Sequence, residues 1–184
     1  MVNLKLEKLK INTQRLTIRN LEMTDLVNFH VYRSNPDVTK YQGFDVMDEQ
    51  QARGFIEKQK DKLFGKPGEW VQYAIEKTDE AKLIGDCAIK LDEHEPRIAH
   101  IGVTLNPDYQ KKGFGKEVLH GIVSWLFETK NVHRITETVD IKNANSIHLL
   151  ESLGFKKEGF FVDCFFENGK WGSEYQYVML NNEK

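Results

Sequence analysis

The sequence predicts an α/β protein with a mixed, mostly antiparallel sheet of six or seven strands and helices on its faces. Three observations carry this expectation. Trp70 to Glu76, Lys82 to Leu91 and Ile98 to Leu105 are successive strand-like runs parted by charged turns around Asp79 and Glu95, the pattern of a meander. A helical pattern from about Gly113 to Lys130 then leads to a strand at Ile135 to Asp140, a strand-helix-strand crossover that forces two strands to run parallel. Finally, Phe160 to Phe166 and Trp171 to Leu180 flank Glu167-Asn168-Gly169-Lys170, where Asn-Gly signals a hairpin.

The remaining elements follow in chain order. Leu16 and Ile18 alternate with Thr17 and Arg19 over Arg15 to Asn20, a half-buried strand. A short helix is expected from Thr24, whose hydroxyl can cap it, with Asn35-Pro36 as its end. Asp48 with Gln51 resembles a capping box, after which Ala52, Phe55, Ile56, Gln59 and Leu63 trace one helical face until Gly65 and Pro67. A last short helix ends at Gly154. No repeat or long linker interrupts the chain, so residues 1–184 are expected to form a single domain.

Composition narrows the function classes. Hydrophobic residues make up 40% and charged residues 29%, as in an ordinary folded globular protein. A net charge of −2 offers no overall field for nucleic acid or an anionic membrane, so neither is an expected partner and any anion must be caught locally. The opening MVNLKLEKLKINTQRL has no apolar signal-peptide core, and no segment reaches the length of a membrane helix, so a cytoplasmic protein is expected. Cys87 and Cys164 lie far apart in strand-like segments, without the spacing of metal or redox pairs, and are read as reduced core residues.

Gln110-Lys111-Lys112-Gly113-Phe114-Gly115-Lys116 joins a strand to the longest helix. Its glycines let the backbone approach a ligand, and the first helical N–H groups, at the positive end of the dipole, suit a phosphate. Lys111, Lys112 and Lys116 add charge-assisted contacts. A tight strand-to-helix turn with no ligand is the plainer alternative. Glu117 after Gly115-Lys116 rules out a P-loop, and Val118 stands where a dinucleotide fingerprint needs its third glycine.

This segment resembles the Gln/Arg-x-x-Gly-x-Gly/Ala acetyl-CoA loop of the GNAT superfamily of N-acetyltransferases. The resemblance spans nearly the whole chain and is to the subgroup that includes the ribosomal-protein N-terminal acetyltransferases. It is carried by Thr13-Gln-Arg15-Leu16-Thr-Ile-Arg19, Leu83-Ile84-Gly85, the run from Ala99 to Gln110, His133-Arg134-Ile135, Asn143-Ala-Asn-Ser146 and Leu153-Gly154-Phe155. It implies acetyl-CoA as co-substrate, no metal, and a splayed parallel strand pair whose freed backbone at Val103 and Leu105 holds the pantetheine arm. Asn143 would reach the arm from the far strand, or else cap the following helix.

The resemblance also implies a general base for the amine and a proton for the departing thiolate. His100 stands where the subgroup commonly has Glu, and an imidazole can act as a base near neutral pH. An ordinary polar strand residue is the alternative, with Glu137, Asp163 and water as rival bases. Ser146 matches the serine thought to protonate the thiolate, or satisfies the helix start. Ser173 replaces the Asp often seen after Trp171, which weakens transfer of the subgroup's substrate preference. The expected acceptor is a peptide N-terminal α-amine, with residues 37–47, including Tyr41 and Phe44, and the tail hairpin flanking an open cleft. A polyamine or aminoglycoside acceptor, with Asp45, Asp48 and Glu49 as candidate carboxylates, and a non-catalytic acetyl-CoA sensor stay open, as does a homodimer.

Overall fold

The computed structural model describes residues 5–42, 44–167 and 169–181. Its sheet is ordered β1-β2-β3-β4-β5-β6-β8-β7. The strands are β1 (Lys10–Asn12), β2 (Leu16–Asn20), β3 (Val71–Lys77), β4 (Lys82–Leu91), β5 (Ile98–Leu105), β6 (Arg134–Asp140), β7 (Lys156–Glu167) and β8 (Lys170–Leu180). Every neighbouring pair is antiparallel except β5–β6, which the crossover helix makes parallel. The strand beyond the expected seven is β1, three residues long and too short for alternation to show.

Helices cover both faces. On one face lie α1 (Leu26–Arg33), α2 (Pro36–Thr39) and α3 (Glu49–Gln59); on the other lie α4 (Phe114–Ser124), which runs on into a π-helical turn at Trp125–Thr129, and α5 (Ala144–Ser152). Phe29, Tyr32, Ala52 and Ile56 pack against Ala74 and Leu83 on the first face. Val118, Leu119, Ile122 and Leu150 pack against Ile75, Ile89, Ala99, Ile101 and Ile135 on the second. Alternation along each strand assigns its residues to one face or the other. None of the helices among the described residues is long and apolar enough to cross a membrane.

Three local expectations need correction. Thr24 does not cap the first helix: it lies inside a 3₁₀ turn, Met23–Asp25, where the Asp25 carboxylate accepts from the Glu22 N–H (2.8 Å). Asn35-Pro36 closes α1 but also starts α2, because the Asn35 Oδ1 accepts from the Asp37 N–H (2.9 Å). Cys164 is exposed rather than in the core, since β7 is an edge strand with little packed over it; Cys87 is buried as expected.

The capping box of α3 forms, with Asp48 and Gln51 exchanging hydrogen bonds of 2.8 Å, but the helix stops at Gln59, short of Leu63. The hairpin joins β7 and β8; Asn168 of its turn lies outside the described residues, while Gly169 has φ 75°. Along β7, residues 162–164 face Ser173 alone, because Phe161 pairs with Glu174 and Phe165 with Gly172. This bulge holds Asp163 at φ 46°, with its N–H donating to the Ser173 hydroxyl (3.0 Å).

Candidate active site

The parallel pair is short. Ile98, Ala99 and His100 face Arg134, Ile135 and Thr136, and no later residues of the two strands pair. Yet β5 stays on β4 as far as Leu105, and β6 stays on β8 as far as Asp140. A wedge therefore opens in the sheet with its apex at His100 and Thr136. On its far side β5 presses closely on β4: a Cβ at Gly85 would lie 2.3 Å from the Thr104 carbonyl oxygen, so only glycine fits.

At the wide end, Lys111 (φ 58°) and Gly113 (φ 82°) turn the chain into α4, Gly113 occupying a left-handed conformation that costs an L-residue roughly 1–2 kcal/mol. A cavity of about 360 Å³ opens there, lined by Val103, Leu105, Gln110, Lys111, Gly113, Gly115, Lys116, Asn143 and Ser146 among others. The structure thus gathers most of the expected binding residues around one space. Two stand apart. Phe114 is 5% exposed and packs in the core under the Arg15 guanidinium, 4.3 Å from its ring centroid. Lys112 instead directs its ammonium over the Tyr109 ring.

Several residues in this region also have local duties. The Gln110 side chain donates to the Leu105 carbonyl (3.0 Å), bracing the corner between strand and loop. The Asn143 Oδ1 accepts from the Ser146 N–H (3.2 Å), so Asn143 does cap α5, and the residue also lines the cavity. Glu117 of α4 accepts from the Arg15 N–H and Nε, both 2.7 Å, and from the Thr13 hydroxyl at 2.6 Å. Burial would raise its pKa, but these donors outweigh burial and hold it below the usual value. They fasten the loop-bearing helix to β2 and the turn before it.

The opposite wall was expected from residues 37–47, but the contribution of α5 was missed. Asp37, Val38, Tyr41 and Gln42 close the cavity from α2 and the residues after it, and Asn145, His148, Leu149 and Ser152 close it from α5. The helical period of α5, which brings residues 145, 148, 149 and 152 onto one side, was the signal available. Phe44 stacks on Arg33 instead of lining the cavity. Arg33 donates to the buried Asp86, which also accepts from Tyr32 (2.7 Å) and Gln72, while Arg33 packs among the Phe29, Phe44 and Phe55 rings. Burial and the Asp86 charge raise the Tyr32 pKa well above its usual value.

His100 does not line the cavity; it sits at the apex, on the face of α1, α2 and α3, opposite that of Ala99 and Ile101. Its Nδ1 lies 2.8 Å from the Thr136 hydroxyl, and that hydroxyl donates to the Ala99 carbonyl (3.4 Å). Nε2 lies 3.8 Å from the Asp92 carboxylate, so one ring nitrogen meets a hydroxyl and the other an anion. Burial, with Lys90 nearby, lowers the His100 pKa below its ordinary 6.5, so the ring is neutral at pH 7. Asp163 is exposed on β7, beyond β8 from β6, and is not brought to the apex. Asp140 pairs with Glu174 across β6 and β8, where burial and that neighbour raise the Glu174 pKa.

A pyrophosphate-type loop at a helix start beside a split parallel pair defines an acyl-transferring α/β protein. The profile of the acetyltransferase (GNAT) domain matches residues 15–156, and the chain belongs to that family as a GNAT N-acetyltransferase. It is 33% identical to the uncharacterized N-acetyltransferase YnaD of Bacillus subtilis (strain 168), over 94% of this chain and 98% of that protein. It is 27% identical to a spermidine N(1)-acetyltransferase of Vibrio cholerae, over 94% and 96%, and 28% identical to the ribosomal protein uS5-alanine N-acetyltransferase of Escherichia coli, over 59% and 56%. Among solved structures, a GNAT-family acetyltransferase from Bacillus anthracis superimposes with a TM-score of 0.85 at 29% identity, over 95% of this chain and 100% of that one.

Proposed function

We propose that the chain, acting as one domain, transfers the acetyl group of acetyl-CoA directly to a primary amine in a ternary complex. The CoA diphosphate is held by the backbone N–H groups of Gly113 to Lys116 with Lys111 and Lys116, and the pantetheine arm runs down the wedge past Leu105 and Val103. No metal enters this reading. The amine arrives on the α1–α3 face and attacks the thioester carbon, the His100 imidazole takes the proton the nitrogen sheds, and β5 N–H groups stabilise the oxyanion.

The acceptor reading rests on His100 at the apex, its imidazole 2.8 Å from the Thr136 hydroxyl and made a weaker base by burial. A weak base relieves an α-ammonium of pKa about 8 far more readily than a lysine-type ammonium near 10.4, each unit of mismatch costing roughly 1.4 kcal/mol. In this reading the acceptor is a peptide or protein N-terminal α-amine. The cleft beside Tyr41 and the exposed Phe160, Phe166 and Trp171 of the hairpin offer apolar contacts for following residues. One observation favours a polyamine instead: Asp37 in the cavity wall and the Asp140–Glu174 pair are carboxylates on the acceptor side that could hold further cations.

Thiol-release assays with an N-terminal peptide library beside spermidine and aminoglycosides test both parts. Amine-dependent turnover led by peptides is expected. A kcat/KM for a small amine exceeding the best peptide's by about 10²-fold, close to 3 kcal/mol, would reverse the acceptor order. Acetyl-CoA binding without turnover on any amine would leave a sensor.

A further inference from the structure

Glu137 is the first residue of β6 with no partner on β5. Its side chain shares a face with Ile135 and Val139, which lie in the core beneath α4 and α5, and so points away from the His100 face. The residue keeps some exposure, but Oε2 is buried and makes no hydrogen bond. The titratable groups that face it are few. Tyr177 stands directly across on β8 and donates its hydroxyl to Glu151 of α5 (2.8 Å), while the level residue of β5 is Ile101. Burial with no compensating cation pushes the Glu137 carboxyl up to about 8, so it carries a proton at neutral pH.

Register relates this group to the cavity. Continued from the His100–Thr136 pair, it sets Glu137 level with Ile101, two residues nearer the apex than the cavity-lining Val103, or about 7 Å at ~3.3 Å per residue. Glu137 lies just beyond the residues that line the cavity, and in the reading above the CoA arm, anchored at the α4 start, runs past Leu105 and Val103 toward that depth with its sulfur leading. An orphaned buried carboxyl is costly, and such groups concentrate where proton transfer occurs.

Building on the reading above, we propose that Glu137 protonates the thiolate that leaves acetyl-CoA, a role otherwise expected of Ser146. The amine lone pair forms the C–N bond, and the tetrahedral intermediate collapses with cleavage of C–S. The sulfur electron pair takes the Glu137 proton, giving CoA thiol and a carboxylate, while the surplus nitrogen proton passes to the His100 imidazole. The imidazolium then returns a proton through water to Glu137, which restores both groups. A carboxyl near 8 is matched to a thiol near 8.5, whereas a serine hydroxyl is a far weaker acid. The two groups flank the apex on opposite faces, the base toward the amine and the acid toward the thioester.

The test is the kcat–pH profile of the full chain with its best amine, measured for wild type, Glu137→Gln and Ser146→Ala, with CoA affinity by calorimetry. In wild type kcat should fall as pH rises through about 8, where the acid loses its proton. Glu137→Gln should lower kcat about 10²-fold and abolish that alkaline limb while CoA affinity stays within about twofold; Ser146→Ala should keep the limb. Should Gln prevent folding, Glu137→Asp keeps the carboxyl and should keep the limb at reduced kcat. A folded Glu137 variant lacking the carboxyl yet retaining wild-type kcat and limb, or a limb lost only in Ser146→Ala, overturns the assignment. An active wild type with that outcome leaves the acetyl-transfer reading standing, whereas a wild type inert toward every amine defeats that reading itself.

Discussion

The Arg33 guanidinium lies 3.6 Å from the centroid of the Phe44 ring while its Nη2 donates to Asp86, both charged side chains being 1% exposed or less. The Met47 N–H also donates to the Arg33 carbonyl (3.0 Å), so one residue anchors the far end of the cavity wall twice. Arg33→Met would strand the Asp86 charge in the core and should cost about 3–5 kcal/mol in urea unfolding. Replacing both partners with apolar residues of similar volume should recover much of that loss. A single variant losing under about 1 kcal/mol would mean that Tyr32 and Gln72 suffice for Asp86.

Gly115→Asp tests the phosphate site. A Cβ there meets only Leu149 Cδ2 at 3.2 Å and Leu105 Cδ1 at 3.6 Å, so the fold should need only a small adjustment. The new charge faces the diphosphate, and CoA affinity should fall by roughly 3 kcal/mol, about 10²-fold. Unchanged affinity by calorimetry in a folded variant would remove the loop from the site.

His100→Ala should lower kcat by about 10²-fold and leave CoA affinity near wild type. If His100 is the proposed base, the active ring is the neutral one, so wild-type activity should rise as pH climbs through a value below 6.5 and be fully present above it. That rising limb should vanish in the variant. Its persistence would pass the role to water.

Asn143 combines a cap with a place in the cavity lining, and Asn143→Asp separates the two. Aspartate caps as well as asparagine, so stability should hold within about 0.5 kcal/mol, whereas Asn143→Ala should lose about 1 kcal/mol. CoA binding should weaken in Asp by about tenfold, because a donor is replaced by a negative charge near an anion. Equal CoA binding in wild type and Asp would make Asn143 a cap alone.

Local pattern revealed most of the sheet and the glycine-bearing turn between β5 and α4. Lys82–Leu91 and Ile98–Leu105 match their expected bounds, since alternation against a core leaves a period-2 trace. Gly113 was legible because the turn from strand to helix needs a left-handed residue there, φ 82°. The wall from Asp37 to Gln42 was only broadly anticipated, since it reaches the cavity through a four-residue helix with no apolar period. The burial of Glu137 was invisible for another reason: whether a strand residue lies inside or outside a wedge depends on where two distant strands part, and no local pattern records that distance. Cys164 erred likewise, since an apolar run reads as core even when its strand is the last of the sheet.

The bulge around Asp163 has a consequence for how copies of the chain meet. The outer margin of β7 carries unpaired N–H and C=O groups beside the exposed Phe160, Phe161, Val162 and Phe166, which is the chemistry of a self-templating aggregation edge. Three residues set against one break that margin in the middle, bending the strand so that a straight strand from another molecule meets about half the rungs it would need. Removal of the bulge should therefore lower solubility at high concentration, even where the reaction itself continues unchanged.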